Sequence, residues 1–311
     1  MALRHFLTLL DVSKEELHAL ITRAIELKQQ HKMGIVQTPL KNKVLGLVFE
    51  KSSTRTKVSF EVAMYQLGGS SVFLSPFESQ LGRGEPVEDT ARVLSGMVDC
   101  VTMRTFEHEK LERFARYSKV PVINALTDQC HPCQLLADMQ TFIELKGSIA
   151  GKKVAWIGDG NNMCHSYLMA AHQLEFELHI ATPKGYEPDP TIVHLARQSQ
   201  HPIILSNEPK QAVMGANLVC TDVWASMGQE QEQLKREQAF QAFQVNSELM
   251  SLAAPGALFM HCLPAHRGEE VSVEVIEGEQ SVVWQQAENR LHSQKALLEF
   301  LLSQPKATAS K

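Results

Sequence analysis

Short apolar runs alternate with stretches of helical period along nearly the whole chain. Val44-Leu-Gly-Leu-Val-Phe49 is a continuous apolar run of strand length, the pattern of a strand covered on both faces. From Val58 to Leu67 the apolar positions follow a helical period, which Gly68-Gly69 stops. Ser71–Leu74 predicts a second strand, Pro86–Leu94 a helix, Cys100–Arg104 a strand, Leu111–Tyr117 a helix and Pro121–Asn124 a strand. A helix over Pro132–Lys146 follows. Strands at Lys153–Ile157, Leu178–Ala181, Ala216–Cys220 and Leu258–His261 then alternate with further helices, and a last amphipathic helix covers about 287–302. Near the start, Asp11-Val-Ser-Lys-Glu-Glu has the composition of a helix N-terminus.

Alternating β and α units predict an α/β protein with parallel sheets and helices on both faces. The expected architecture is two doubly wound parallel-sheet domains joined by interdomain helices. Gly147-Ser-Ile-Ala-Gly151 marks the boundary. It sets a first domain at 1–147 and a second at 148–311, with the C-terminal helix packing back on the first. A length of 311 residues agrees with two domains, at about 100–200 residues each. Ligands of open α/β sheets bind at the carboxyl ends of the strands, so chemistry is sought there.

Composition narrows the classes. Hydrophobic residues make up 44% and charged residues 21%, which excludes a disordered or collagen-like chain. The net charge of −5, from 30 Lys+Arg against 35 Asp+Glu, argues against general nucleic-acid binding, though not against a basic pocket. No apolar run reaches the roughly 18 residues needed to cross a bilayer, and the first ten residues lack a small-residue cleavage site. The expected location is the cytoplasm. The six cysteines are too sparse for a disulfide framework. Cys130 and Cys133 form one CxxC, without a second pair for zinc; a redox pair is the other reading, though His131 and Gln134 have a better explanation below.

Lys51-Ser-Ser-Thr-Arg-Thr-Lys57 joins a strand end to a helix start. Helix N-termini favour anions, yet Lys51, Arg55 and Lys57 crowd this one, with no acid between Glu50 and Glu61. A bound phosphate reconciles the two, the hydroxyls and N–H groups donating and Arg55 offering a planar fork. The alternative is a Ser/Thr-capped surface helix with solvated bases. Arg104 ends a strand in the same half, as a ligand cation or a surface arginine. In His131-Pro-Cys-Gln134, Pro132 suits the first helical position. His131 and Gln134 either face a ligand carbonyl or form a capped turn. Trp156-Ile-Gly-Asp-Gly-Asn-Asn162 resembles a dinucleotide fingerprint but has Met163 where a third Gly belongs, and Thr182 stands where a ribose acid is expected. Asn161 and Asn162 suit a zwitterion instead. Asp222, in Thr221-Asp-Val-Trp-Ala-Ser-Met-Gly228, either orients an amine or caps a helix. In His261-Cys-Leu-Pro-Ala-His-Arg-Gly268, Cys262 hydrogen-bonds an amine, acts as a nucleophile if its thiol ionises, or is a small buried hydrophobe. His261 and His266 hint at a metal, but no third ligand at matching spacing is compelling.

Taken together, Ser53-Thr-Arg-Thr56, His131-Pro-Cys-Gln134, Asp159-Gly-Asn-Asn162, Asp222–Gly228 and His261-Cys-Leu-Pro264 resemble the aspartate/ornithine transcarbamylase family over nearly the whole chain. The Ser-Met-Gly and His-Cys-Leu-Pro segments resemble its ornithine branch. The resemblance implies a first domain that binds carbamoyl phosphate and a second that binds ornithine. It implies transfer of the carbamoyl group to the δ-amine, giving citrulline and phosphate. Ser53, Thr54, Arg55 and Thr56 match the family's phosphate loop. Arg104, His131 and Gln134, with Pro132 and Cys133 in the same motif, match residues that hold and polarise the carbamoyl group. Cys262, Leu263 and Arg290 complete that pocket. Asn162, Asp222, Ser226 and Met227 match the ornithine site, and Arg104, His131 and Cys262 the catalytic residues. Gln80, in Ser79-Gln-Leu-Gly-Arg-Gly84, matches a residue lent by a neighbouring subunit, which implies a homotrimer or a multiple of trimers. Lys57 departs from the family's usual second Arg; the charge is kept and the planar fork is lost. The reaction calls for no metal or organic cofactor, because the phosphate leaving group already activates the carbonyl. Other expectations are a transcarbamylase for another amine, a phosphate-sensing binding protein and, least in accord with the glycines, a dehydrogenase.

Overall fold

The computed structural model describes residues 3–75, 84–225 and 232–303. The chain forms two compact units, one of residues 1–140 with 288–311 and one of residues 141–287. It leaves the first unit within one helix, Pro132–Lys146, and returns within another, Val283–Leu302.

The first unit begins with α1 (Lys14–Lys32), β1 (Val44–Phe49), α2 (Thr54–Gln66), β2 (Ser70–Leu74) and α3 (Val87–Leu94). It continues with β3 (Cys100–Arg104), α4 (His108–Tyr117), β4 (Val122–Leu126) and α5 (Pro132–Lys146). Ser13 and Glu16 cap α1 reciprocally, each side chain taking the other's backbone N–H. The sheet is parallel throughout, in the order β2-β1-β3-β4. On the far side of β4, Phe6 adds one bridge, its N–H donating to Val122 O (2.8 Å) and its carbonyl accepting from Asn124 N (2.8 Å). Val48, Val101, Met103, Phe114 and Val122 pack in one buried cluster.

The second unit holds β5 (Lys153–Ile157), α6 (Asn162–Leu174), β6 (Glu177–Ala181), α7 (Pro190–Ala196), β7 (Ile203–Ser206) and α8 (Pro209–Val213). After these come β8 (Leu218–Thr221), α9 (Gln233–Phe240), α10 (Ser247–Met250), β9 (Leu258–His261) and α11 (Val273–Ile276). Its sheet is also parallel, in the order β7-β6-β5-β8-β9. The core includes Ile157, Val219, Trp224, Phe240 and Phe259. Helix α12 (Val283–Leu302) closes the described chain.

Strand order reverses between β1 and β3 in one sheet and between β5 and β8 in the other. At such switch points the two neighbouring crossovers leave to opposite faces, and a crevice opens at the carboxyl ends. Arg104 lies in register beside Phe49, at the end of β1. The crevice of the first sheet is therefore bordered by the 51–56 loop and Arg104. That of the second is bordered by the loop after Ile157 and by Asp222, which follows Thr221.

Two elements differ from the sequence pattern. Helix α2 starts at Thr54, four residues before the apolar period begins, because Ser53 caps it and accepts the Thr56 N–H (3.3 Å). Strand β7 was not expected: its edge position leaves Ile204 exposed, and four residues make a weak signal.

Candidate active site

In the first unit the site grows from the start of α2. Thr56 is buried, and its hydroxyl accepts from Arg290 Nη2 (2.7 Å). Arg290, on α12, also donates through Nη1 to Gln134 Oε1. The same nitrogen lies 3.4 Å from His131 Nε2. Gln134 Nε2 donates in turn to Asp138 Oδ1 (2.9 Å). One buried guanidinium thus joins the α2 turn, the α5 turn and the C-terminal helix. Such a fork makes strong, directional bonds.

His131 is buried. Burial, reinforced by Arg290, Arg104 and Arg55, holds its pKa well below the ordinary histidine value. The ring is neutral at physiological pH. A guanidinium only donates, so Nε2 faces Arg290 as an acceptor and the ring proton sits on Nδ1. Pro132 opens α5, as expected at a first helical position. The Cys133 thiol turns away to Asn124 O (3.3 Å), and burial raises its pKa to about 12. Cys130 is likewise buried and raised to about 12. Both are free thiols, inert at neutral pH.

The three cations at the α2 turn are not equivalent. Lys51 donates to Asp128 Oδ1 (2.7 Å), and its Nζ lies 3.8 Å from the Phe106 ring centroid. Lys57 Nζ lies 3.8 Å over the Phe73 ring. Carboxylate and aromatic faces thus balance two of the charges. Arg55 is exposed on the first turn of α2, beside Ser53 and Thr54, and Arg104 is buried at the end of β3. The sequence-based expectation that these bases are unbalanced does not hold for Lys51 and Lys57, which have partners within the chain.

In the second unit, Asn161 caps α6: its Oδ1 accepts from Met163 N (2.9 Å) and Cys164 N (3.1 Å). Its amide Nδ2 donates to Asp222 Oδ2 (2.9 Å). The other oxygen of Asp222 accepts from Val223 N (2.9 Å) and from the Cys262 thiol (3.1 Å). Asp222 is buried, while Asn162 and Cys262 are partly exposed. Asp222 is thus not a free helix cap. It is a carboxylate aimed by three donors, one of them a thiol. The sequence pointed to both Asn161 and Asn162; of the two, Asn161 is the residue bonded to Asp222.

The glycines of this loop have steric roles. A Cβ on Gly160 would run into the backbone at Pro188. The room that a dinucleotide loop keeps for a pyrophosphate is filled here by the chain itself. Asp159 pairs with Arg236 (2.8 Å), whose Nη1 also donates to Trp224 O (2.7 Å). Burial pushes the Asp159 carboxyl up, against the pull of Arg236. Sequence reasoning did not single out Arg236, since its partner lies 77 residues away.

Leu263 has a left-handed backbone (φ 60°) just after Cys262. Among the described residues, two groups bring metal-ligand atoms within 4.8 Å of one another: Asp222, His261 and Cys262, and His266, Glu269 and Glu270. The carboxylates missing from the sequence pattern are thus Asp222 in the first group and Glu269 and Glu270 in the second. Gln80, Ser226 and Met227 lie outside the described residues.

Among the described residues, no helix is long and apolar enough to cross a membrane. Residues 4–144 match the carbamoyl-P binding domain of aspartate/ornithine carbamoyltransferase, and residues 150–301 match its Asp/Orn binding domain. The chain is 65% identical to an ornithine carbamoyltransferase of Nitrosococcus oceani over 97% of this chain and 98% of that protein. It is 64% identical to one of Methylococcus capsulatus, over 96% and 99%. The solved ornithine carbamoyltransferase of Pyrococcus furiosus superposes with a TM-score of 0.94 at 48% identity, covering 98% of this chain and 99% of that one. The matched segments, the switch-point loops and these likenesses agree: the chain belongs to the aspartate/ornithine carbamoyltransferase family.

Proposed function

We propose that the protein transfers the carbamoyl group of carbamoyl phosphate to the δ-amine of L-ornithine, releasing L-citrulline and phosphate. The observation that carries this reading is the near-full-length likeness to ornithine carbamoyltransferases at 60–65% identity. The two side-chain constellations support it. In the first unit, the α2 N-terminus with Ser53, Thr54, Arg55 and Thr56 binds the phosphate, and Arg104 adds charge. Buried Arg290 fixes Thr56 and Gln134, so the donors are set before the ligand arrives. Gln134 and the neutral His131 meet the carbamoyl group. His131 is assigned to the carbamoyl oxygen by resemblance, and a fixed donor there stabilises the oxyanion that forms on attack. Pro132 and the backbone of Cys133 shape that turn.

In the second unit, Asn162 and Asp222 receive ornithine, with Ser226 and Met227 assigned to the same site by resemblance. Asp222 is an anion suited to an ammonium group. The δ-amine, with an unperturbed pKa of about 10.4 for a lysine-like group, attacks only when neutral. Cys262, bonded to Asp222 and followed by Leu263, is the group next to which that proton leaves. A C–N bond forms, the bond from the carbonyl carbon to the phosphate oxygen breaks, and the proton lost by the amine leaves on the phosphate. We assign Gln80 to the site of a neighbouring subunit in a homotrimer.

Purified protein given carbamoyl phosphate with ornithine, putrescine or an acylated ornithine tests the reading. Citrulline formation from ornithine, at least ~10²-fold faster than turnover of the other amines, is the expected order of magnitude when a site is built around a polar group. Equal or better turnover of putrescine overturns the ornithine assignment. Native mass measurement tests the trimer, and a monomer removes the role of Gln80.

A further inference from the structure

The turn that carries Cys262 is held by two side chains that take no part in the proposed chemistry. Strand β9 ends at His261, in register with Thr221, the neighbour of Asp222. The His261 backbone N–H donates to Gln286 Oε1 (3.1 Å). Two residues on, Leu263 N–H donates to His261 Nδ1 (2.9 Å). That bond requires the lone pair on Nδ1, so the ring proton sits on Nε2, 3.1 Å from Glu270 Oε1. The same oxygen accepts from His266 N (2.6 Å). Both side chains of the pair are wholly buried, and Glu270 Oε2 has no hydrogen-bond partner among the described residues.

A buried carboxylate that leaves one oxygen unsatisfied is a poor way to stabilise a loop; apolar residues of similar size would do so at lower cost. What the pair does well is fix backbone. Its bonds fall at 261, 263 and 266, on either side of Cys262. One of them holds Leu263 in a left-handed conformation that a leucine adopts only under constraint. Between these anchors the Cys262 thiol is left 3.1 Å from Asp222 Oδ1. Both ring nitrogens are committed, one to Leu263 and one to Glu270, so the imidazole does not take the thiol's proton.

We propose that His261 and Glu270 form a positioning pair that sets the Cys262–Leu263 turn against Asp222, acting through the Leu263 N–H and not by relaying a proton. The proposal rests on the assignment of Cys262 and Asp222 to the acceptor site. It predicts a chemical asymmetry. The carboxamide oxygen of Asn can take the place of Nδ1, whereas that of Gln reaches only as far as Nε2. His261→Asn therefore keeps the Leu263 anchor, and His261→Gln loses it.

The test is steady-state kinetics of H261N, H261Q, E270Q and E270A, with melting curves for each. A misplacement of about 1 Å near the chemistry costs roughly 10²-fold. H261Q and E270A are expected to fall by about that factor in kcat/KM for ornithine. H261N and E270Q, which keep the essential acceptors, are expected to stay within roughly a tenth of it. Equal losses in H261N and H261Q, or wild-type rates in both, overturn the proposal. If H261Q fails to fold, E270A against E270Q decides the matter, and the converse holds if E270A fails. If the wild-type protein makes no citrulline, the functional reading fails first. The pair is then judged by the rate at which iodoacetamide alkylates Cys262, the other five cysteines being buried. That rate stays at the wild-type value in H261N and shifts several-fold in H261Q; matching rates in the two variants sink the pair.

Discussion

Asn161 performs two tasks with one amide, and substitution separates them. Its oxygen caps α6 through Met163 and Cys164, and its nitrogen satisfies buried Asp222. Replacing Asn161 with Ala removes both. Loss of a cap costs about 1 kcal/mol. Loss of the amide donor to Asp222 Oδ2 costs about 1–3 kcal/mol, because a buried acceptor loses its partner. The sum, about 2–4 kcal/mol, lowers Tm by roughly 5–15 °C for a unit of this size. Asn161→Ser keeps a capping oxygen, nearly as good as that of Asn, but cannot reach Asp222. It isolates the second cost. Both variants are expected to raise KM for ornithine, since Asp222 then loses its orientation, while KM for carbamoyl phosphate is unaffected. Thermal melts and a citrulline assay measure the two effects side by side. If Asn161→Ser melts and saturates like the wild type, the Asn161–Asp222 bond orients nothing and the reasoning fails.

Three further outcomes follow from the geometry. His131→Ala is expected to lower kcat by about 10²–10³, the typical loss for one oxyanion donor. The same variant also has a pH signature. The folded-state pKa of His131 lies below its unfolded value near 6.5, so below that pH the unfolded chain binds the proton that the folded chain refuses. Its share of stability is present above about pH 6.5 and is lost as pH falls. Urea titrations from about pH 7.5 to about pH 5, which bracket that value, should show a shallower loss in His131→Ala, and an unchanged slope would refute the burial argument. Arg290→Lys keeps the charge but not the fork joining Thr56, Gln134 and His131. KM for carbamoyl phosphate should rise at least tenfold, the factor that corresponds to about 1.4 kcal/mol; an unchanged KM removes Arg290 from the site. Gly160→Ala drives a Cβ into the backbone at Pro188. A destabilisation of about 1–3 kcal/mol is expected from overpacking, and a wild-type melting curve would show that the 186–188 segment yields freely.

The strands were legible in the sequence where burial is complete. β1, β3, β5 and β9 carry unbroken or nearly unbroken apolar runs, and the structure places each within a residue of the pattern. The start of α2 was less legible: Thr54, Arg55, Thr56 and Lys57 have no apolar period, and the cap at Ser53 carries the signal instead. The charges of that turn show why a local reading stops short. Lys51 and Lys57 look unbalanced among their neighbours, but Asp128, Phe106 and Phe73 come to them from elsewhere in the chain. Asp222 shows the same limit. Its place at a strand end was readable, while the choice between a cap and an aimed carboxylate depended on Asn161 and Cys262, 61 and 40 residues away. Glu270 gave no signal at all, because an acid in a polar stretch reads as solvated and nothing local marks it as buried.

The discontinuity of the first unit has a consequence for how the protein comes off the ribosome. Thr56, His131 and Gln134 are made early, but Arg290, which joins them, lies in the stretch 288–311 that completes the same unit. At about 5–20 residues per second, translation of the intervening segment takes on the order of ten seconds. Throughout that interval the N-terminal half lacks its guanidinium, so the anion pocket cannot be finished before the stretch from residue 288 has been made.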